Sequence, residues 1–145
     1  MKHGVLILGI ALGVATAVVA HEGVKDPGVM ARMHGMKEIG GASKVLRNMA
    51  AQKIPYDMIK AQGAKAALVR HLGEVELLFQ QPYTDPKSEA LPVIWDDYSK
   101  FVDKLVAAQR FAGQLDVRSV DGLRQTLPAA GQGCRDCHKL YRLEK

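Results

Sequence analysis

The chain has 145 residues, with 20 Lys and Arg against 15 Asp and Glu, a formal charge of +5 and 6% aromatic residues. Its basic residues are dispersed rather than clustered, so the charge does not mark a nucleic-acid footprint. No internal repeat, phosphate loop or Ser-His-carboxylate pattern stands out, which argues against an enzyme.

In chain order, the first feature is a leader. Met1-Lys2-His3 is a short basic start, Val5 to Val19 is almost wholly apolar, and Val18-Val19-Ala20 offers small residues for cleavage. This pattern predicts a secretory signal peptide over 1–20 and a mature domain over 21–145. The apolar run falls short of the roughly 20 residues that span a bilayer, and an uncleaved anchor is the alternative. No second apolar run follows, so no membrane span is expected in the mature chain. Taking 20 residues from 145 leaves 125, enough for one domain with one core, and leaves 19 basic groups against 15 acidic.

Four helical stretches can be read from period and punctuation. The first opens with Asp26 as N-cap and Pro27 in the first turn. Val29, Met33, Met36, Gly40 and Ser43 follow a 3-4 spacing that fades near Gln52. The second starts at Asp57 and is expected to turn Ile59, Ala66, Val69, Leu72, Val75 and Phe79 inward. The loop from Pro82 to Pro92 follows, with a turn predicted at Tyr83-Thr84-Asp85-Pro86. The third helix carries Ile94, Trp95, Tyr98, Phe101, Val102 and Leu105 and ends around Gly113, with Asp96-Asp97 read as a solvated face. The fourth runs from Ser119 or Val120 to Tyr141, and Pro128, Gly131 and Gly133 predict a kink or short break in it. No strand is convincing. Four helices with short connections predict an all-α, antiparallel up-down-up-down four-helix bundle.

The last helix carries the chemistry. Cys134-Arg135-Asp136-Cys137-His138 is the attachment pattern of c-type haem, two thiols to form thioethers and an imidazole to ligate iron. A thioredoxin-like redox pair would need a βαβ context, and no β-rich run precedes Cys134. A zinc site needs about four ligands, and these are the only two cysteines. The expected cofactor is therefore one haem c, attached through Cys134 and Cys137 with His138 on the iron. Its two propionates would cut the mature formal charge from +4 to about +2. So little chain follows His138 that a second axial ligand must come from upstream.

Cys134-Arg135-Asp136-Cys137-His138-Lys139-Leu140-Tyr141-Arg142, together with Gly28-Val29-Met30-Ala31-Arg32 and Pro92-Val93-Ile94-Trp95, resembles the class II cytochromes c, the cytochrome c′ family. The resemblance implies a left-handed four-helix bundle in the bacterial periplasm, where covalent haem attachment takes place. It also implies Arg32 near a haem propionate and a distal residue four positions later, at Met36. Arg142, one turn after His138, is placed to reach the haem edge or the surroundings of its ligand, with plain solvent exposure as the alternative. High-spin members carry an apolar or aromatic distal residue and leave the iron five-coordinate. Low-spin members of the cytochrome c-556 type carry a methionine.

A Met36 thioether would stabilise ferrous iron and suit electron transfer with periplasmic redox proteins as donor and acceptor. Met33, one turn earlier on the same face, is the rival ligand, with Met30 a weaker one. Methionine also fills irregular core gaps. His34, His71 and His21 are read as solvent-facing, on a polar face and terminal respectively. The alternative function is a high-spin, cytochrome c′-like protein binding nitric oxide or carbon monoxide. Many family members pair through their first two helices, which leaves a homodimer open.

Overall fold

Residues 23–144 are described by the computed structural model of the chain. They form α1 Pro27–Ala50, α2 Met58–Leu78, α3 Val93–Asp96, α4 Tyr98–Gly113 and α5 Val120–Tyr141. The expected signal peptide, residues 1–20, and His21 lie outside the described residues.

Helix starts follow the cap chemistry. Asp26 accepts from the Val29 amide at 2.8 Å with Pro27 at the helix start, and Asp57 accepts from the Lys60 amide at 3.0 Å. Ser119 accepts from the Gly122 amide at 3.0 Å. Each such bond satisfies an otherwise orphaned amide and contributes about 1 kcal/mol.

The third predicted helix is split. Asp97 leaves helical geometry at φ −142°, ψ 73°, and its carboxylate accepts from the Lys100 amide at 3.3 Å. Asp97 thus caps α4 instead of lying on a continuous solvated face, and α3 is a single turn ahead of it. The fourth predicted helix departs the other way, because α5 runs unbroken through Pro128. Its glycine at 133 serves packing, since a Cβ there would stand 3.1 Å from the Phe111 side chain and 3.3 Å from the Ala108 Cα.

Packing closes a four-sided ring. α1 lies against α2 and α5, and α4 lies against the same two helices. This is the expected four-helix bundle, with α3 and α4 together as its third helix. The core includes Leu46 and Met49 of α1, Leu68, Leu72 and Val75 of α2, Leu105 of α4 and Leu123 of α5.

Two faces differ from expectation. In α2 the inward stripe is Ala61, Ala64, Leu68, Leu72 and Val75, continuing to Phe79, whereas Ile59 is 78% exposed and Ala66 and Val69 also face solvent. Leu72, Val75 and Phe79 are buried as expected, while Ala61 and Ala64 take the inward places in the first half of the helix. In α1 the buried stripe is Val29, Arg32, Gly35, Ile39, Leu46 and Met49. The predicted stripe through Met33, Met36 and Gly40 lies beside it, along a cavity wall.

The long connection between α2 and α3 wraps the open end of the bundle. Asp85 accepts from the amides of Lys25 (2.8 Å), Asp26 (3.2 Å) and Lys87 (2.8 Å), tying the loop to the entry of α1. The turn closes between Asp85 and Ser88, two residues later than predicted. Further on, the Leu91 amide donates to the Tyr141 carbonyl at 3.0 Å and the Leu143 amide to the Glu89 carbonyl at 2.8 Å. These bonds form an isolated antiparallel bridge between Ala90 and Arg142. No helix of the described residues is long and apolar enough to cross a membrane.

Candidate haem site

A cavity of about 420 Å³ opens between α1 and the end of α5, roofed by the α2–α3 loop. That volume lies within the range of about 300–1,000 Å³ usual for ligand pockets. One wall is the Met33, Met36 and Gly40 face of α1, and the opposite wall is Cys137, His138 and Tyr141 of α5. The floor is aromatic. Phe79 and Phe101 stack with centroids 5.3 Å apart, and Tyr141 meets Phe101 edge-on at 5.3 Å.

The α5 end holds the thiols one turn apart, both half-buried. Burial, reinforced by the neighbouring Cys134, pushes the Cys137 thiol up to about 11, and burial also raises Cys134. In chain without haem both therefore stay protonated at ordinary pH. Cys137 and His138 line the cavity directly, whereas Cys134 stands one turn back on the helix. Burial, with Arg142 close by, depresses the His138 pKa and favours its neutral, ligating form.

Met36 and Met33 both line the cavity, so the structure brings both thioethers to the wall facing His138. Met30 is 39% exposed and is not part of that wall. His34 faces solvent beside Glu38, and His71 bonds Glu74 at 2.9 Å on α2, away from the cavity.

Arg32 is the main surprise. It lines the cavity, yet it is only 3% exposed. Its Nε donates to the Leu78 carbonyl at 3.0 Å, Nη1 to the Tyr83 carbonyl at 3.0 Å, and Nη2 to the Gln81 carbonyl. The guanidinium also lies over Trp95 at 4.8 Å, Phe79 at 5.0 Å and Tyr83 at 5.5 Å. It satisfies the Leu78 carbonyl at the end of α2, where the helix dipole is negative, and two carbonyls of the loop that follows. Burial lowers its pKa, against the pull of Asp26 and Tyr83.

Arg142 also lines the cavity, and its Nε and Nη2 both reach Glu89 Oε2 at 2.7 Å. Glu89 escaped the sequence reading because its loop carries no periodic signal. The one signal that could have found it is the need of Arg142, if buried beside a ligand, for a counter-charge.

These donors fit a haem. An apolar slot is bounded by two thioether side chains on one wall and a thiol with its adjoining imidazole on the other. A sequence profile of the family described as Cytochrome C' matches residues 28–142. The chain belongs to the cytochrome c′ family. It carries one haem c, attached through Cys134 and Cys137. Cytochrome c-556 of Agrobacterium tumefaciens (strain apple 185) is 33% identical over 122 residues, covering 79% of this chain and 94% of that protein. Cytochrome c' of Rhodopseudomonas palustris (strain ATCC BAA-98 / CGA009) is 27% identical over 146 residues, covering 98% and 93%. Among solved structures, a ferrous variant of cytochrome c prime from Alcaligenes xylosoxidans with bound NO aligns at TM-score 0.73 and 22% identity. It covers 81% of this chain and 94% of that one. That likeness establishes the bundle fold.

Proposed function

We propose that this monohaem cytochrome is an electron carrier of the periplasm, with His138 and Met36 as axial ligands, and that it is not an enzyme. The observation that carries the reading is a thioether at position 36 on the α1 wall facing His138. The cofactor supplies a one-electron iron couple. The chain supplies two neutral ligands and an apolar slot around them, which favour the reduced state and resist binding of a diatomic gas. Residues 1–20 act as a cleaved export signal, with residues 21–145 as the mature domain. Arg142 flanks the haem edge, and Arg32 stands behind it in the wall. Redox proteins of the same compartment serve as donor and acceptor.

A spectrum of the oxidised protein tests the ligand set. Six-coordinate, low-spin iron with a sulfur-to-iron band in the near infrared is expected. Met36→Ala abolishes that band, gives high-spin iron, lowers the potential and admits carbon monoxide, whereas Met33→Ala keeps the band. If Met33→Ala alone abolishes it, the ligand is Met33. A wild-type protein that is already high-spin and five-coordinate overturns the carrier reading. It favours the second reading, a gas-binding site like that of the NO-bound relative, whose support is alignment of nearly the whole chain with a cytochrome c'.

A further inference from the structure

The loop that closes the proximal end of the cavity is joined to Tyr141 of α5 and to the two residues after it at three points among the described residues, and two of them are backbone hydrogen bonds. The Leu91 amide donates to Tyr141 and the Leu143 amide to Glu89, bracketing the Ala90–Arg142 bridge. The third is the ion pair, in which two guanidinium nitrogens converge on one oxygen of Glu89 at 2.7 Å. Such charge-assisted contacts are shorter and stronger than neutral hydrogen bonds. Glu89 and Arg142 are both in the cavity lining, and the Arg142 amide closes the last turn of α5 on the His138 carbonyl at 3.0 Å. Past Tyr141 the chain turns extended at Arg142, and the loop segment from Glu89 to Leu91 lies bonded across this helix end as a strap. Side-chain exposures of 29% for Glu89 and 48% for Arg142 leave the pair at the mouth, screened on one side only.

Resting on the assignment of His138 as iron ligand, we infer that Glu89 is a positioning residue for the proximal side. It holds Arg142 in the cavity wall, fastens the strap to the helix end that carries His138, and cancels the Arg142 charge beside the iron. Groups bonded around a metal-ligating residue orient it and tune its metal. A mere surface tie would affect stability alone. A charge pair beside the cofactor also shifts the potential, with opposite sign for its two members, because removing an anion disfavours ferric iron and removing a cation favours it.

The test uses haem-loaded, full-length protein carrying Glu89→Gln, Arg142→Gln, both together, or Glu89→Asp. Glu89→Gln is expected to raise the reduction potential and Arg142→Gln to lower it. Each shift corresponds to about a three- to tenfold change in the redox ratio, and tenfold is about 59 mV for one electron. The double variant should return close to wild type. Glu89→Asp keeps the charge but shortens the reach, so amide exchange at Leu91 and Leu143 should quicken while the potential moves less than in Glu89→Gln. Shifts of the same sign, or potentials unchanged in both single variants, overturn the inference. The near-infrared band of the wild type reports Met36 separately, so failure of the carrier reading is distinguishable from failure of this one.

Discussion

Arg32 shows how one residue can be read two ways. In the sequence it is a cation one turn before a candidate ligand. In the fold it is buried, and the Leu78 carbonyl at the end of α2 and the Gln81 and Tyr83 carbonyls of the following loop all accept from it. Arg32→Lys removes the planar fork that spans them, and a single ammonium cannot replace it. The expected cost is about 1–3 kcal/mol for the carbonyls left unpaired, read as a lower denaturant midpoint with an unchanged slope. The thiols give a second expectation at this scale, for chain made without haem. Cys137 holds its proton to about 11 against an ordinary value of 9.0. Unfolded chain therefore ionises first as pH rises, and stability is intact below that ordinary value and lost as pH climbs through the folded one. Haem-loaded protein has thioethers in place of thiols, so this alkaline loss should be missing from its melting profile.

At the scale of elements, contacts with other elements decide what a glycine costs. A Cβ at Gly28 would come within 2.1 Å of the Tyr83 ring, whereas at Gly73 it meets nothing within 4 Å. Gly28→Ala must push the ring off α1 and should cost about 1–3 kcal/mol. Gly73→Ala should stabilise by about 0.5–1 kcal/mol, through α2 alone. Thermal midpoints moving in opposite directions check the pair.

The same distinction explains what was legible beforehand. Helix starts at Asp26, Asp57 and Ser119 were readable because a cap is local chemistry, and Cys134, Cys137 and His138 because their spacing is itself the signal. The break at Asp97 was hidden, since Asp96-Asp97 within an apolar pattern looks like any exposed pair. The continuity of α5 was hidden for the opposite reason, because packing against α4 outweighs Pro128 and the glycines. The α2 face was read correctly at Leu72, Val75 and Phe79 but misread in its first half by following the larger residues, Ile59 and Val69, where Ala61 and Ala64 are the buried positions. The α1 stripe through Met33 and Met36 was legible as a face, and it proved to be the cavity wall beside the true core stripe.

The whole molecule depends on what fills that cavity. Two elements from opposite ends of the chain, α1 and α5, meet across a slot of about 420 Å³. If it were a dry void, the cavity penalty of about 24 cal/mol per Å³ would come to about 10 kcal/mol, an upper bound because the slot opens to solvent. That bound is comparable with the whole stability of a domain, about 5–15 kcal/mol. The rest of the core contributes little aromatic surface and relies heavily on Ala, as at Ala61, Ala64, Ala108 and Ala112. Chain in which Cys134 and Cys137 are both replaced by Ser should keep no covalent haem and lose most of its cooperative stability. Circular dichroism should show reduced helix, with a broad, lowered thermal transition. Hydrogen exchange should locate the loss, with amides of α1 and α5 losing protection first because those helices face the slot, while α2 and α4 stay packed through Leu68, Leu72 and Leu105. A variant without haem that melts as sharply and as high as the loaded protein would show that the bundle closes by itself.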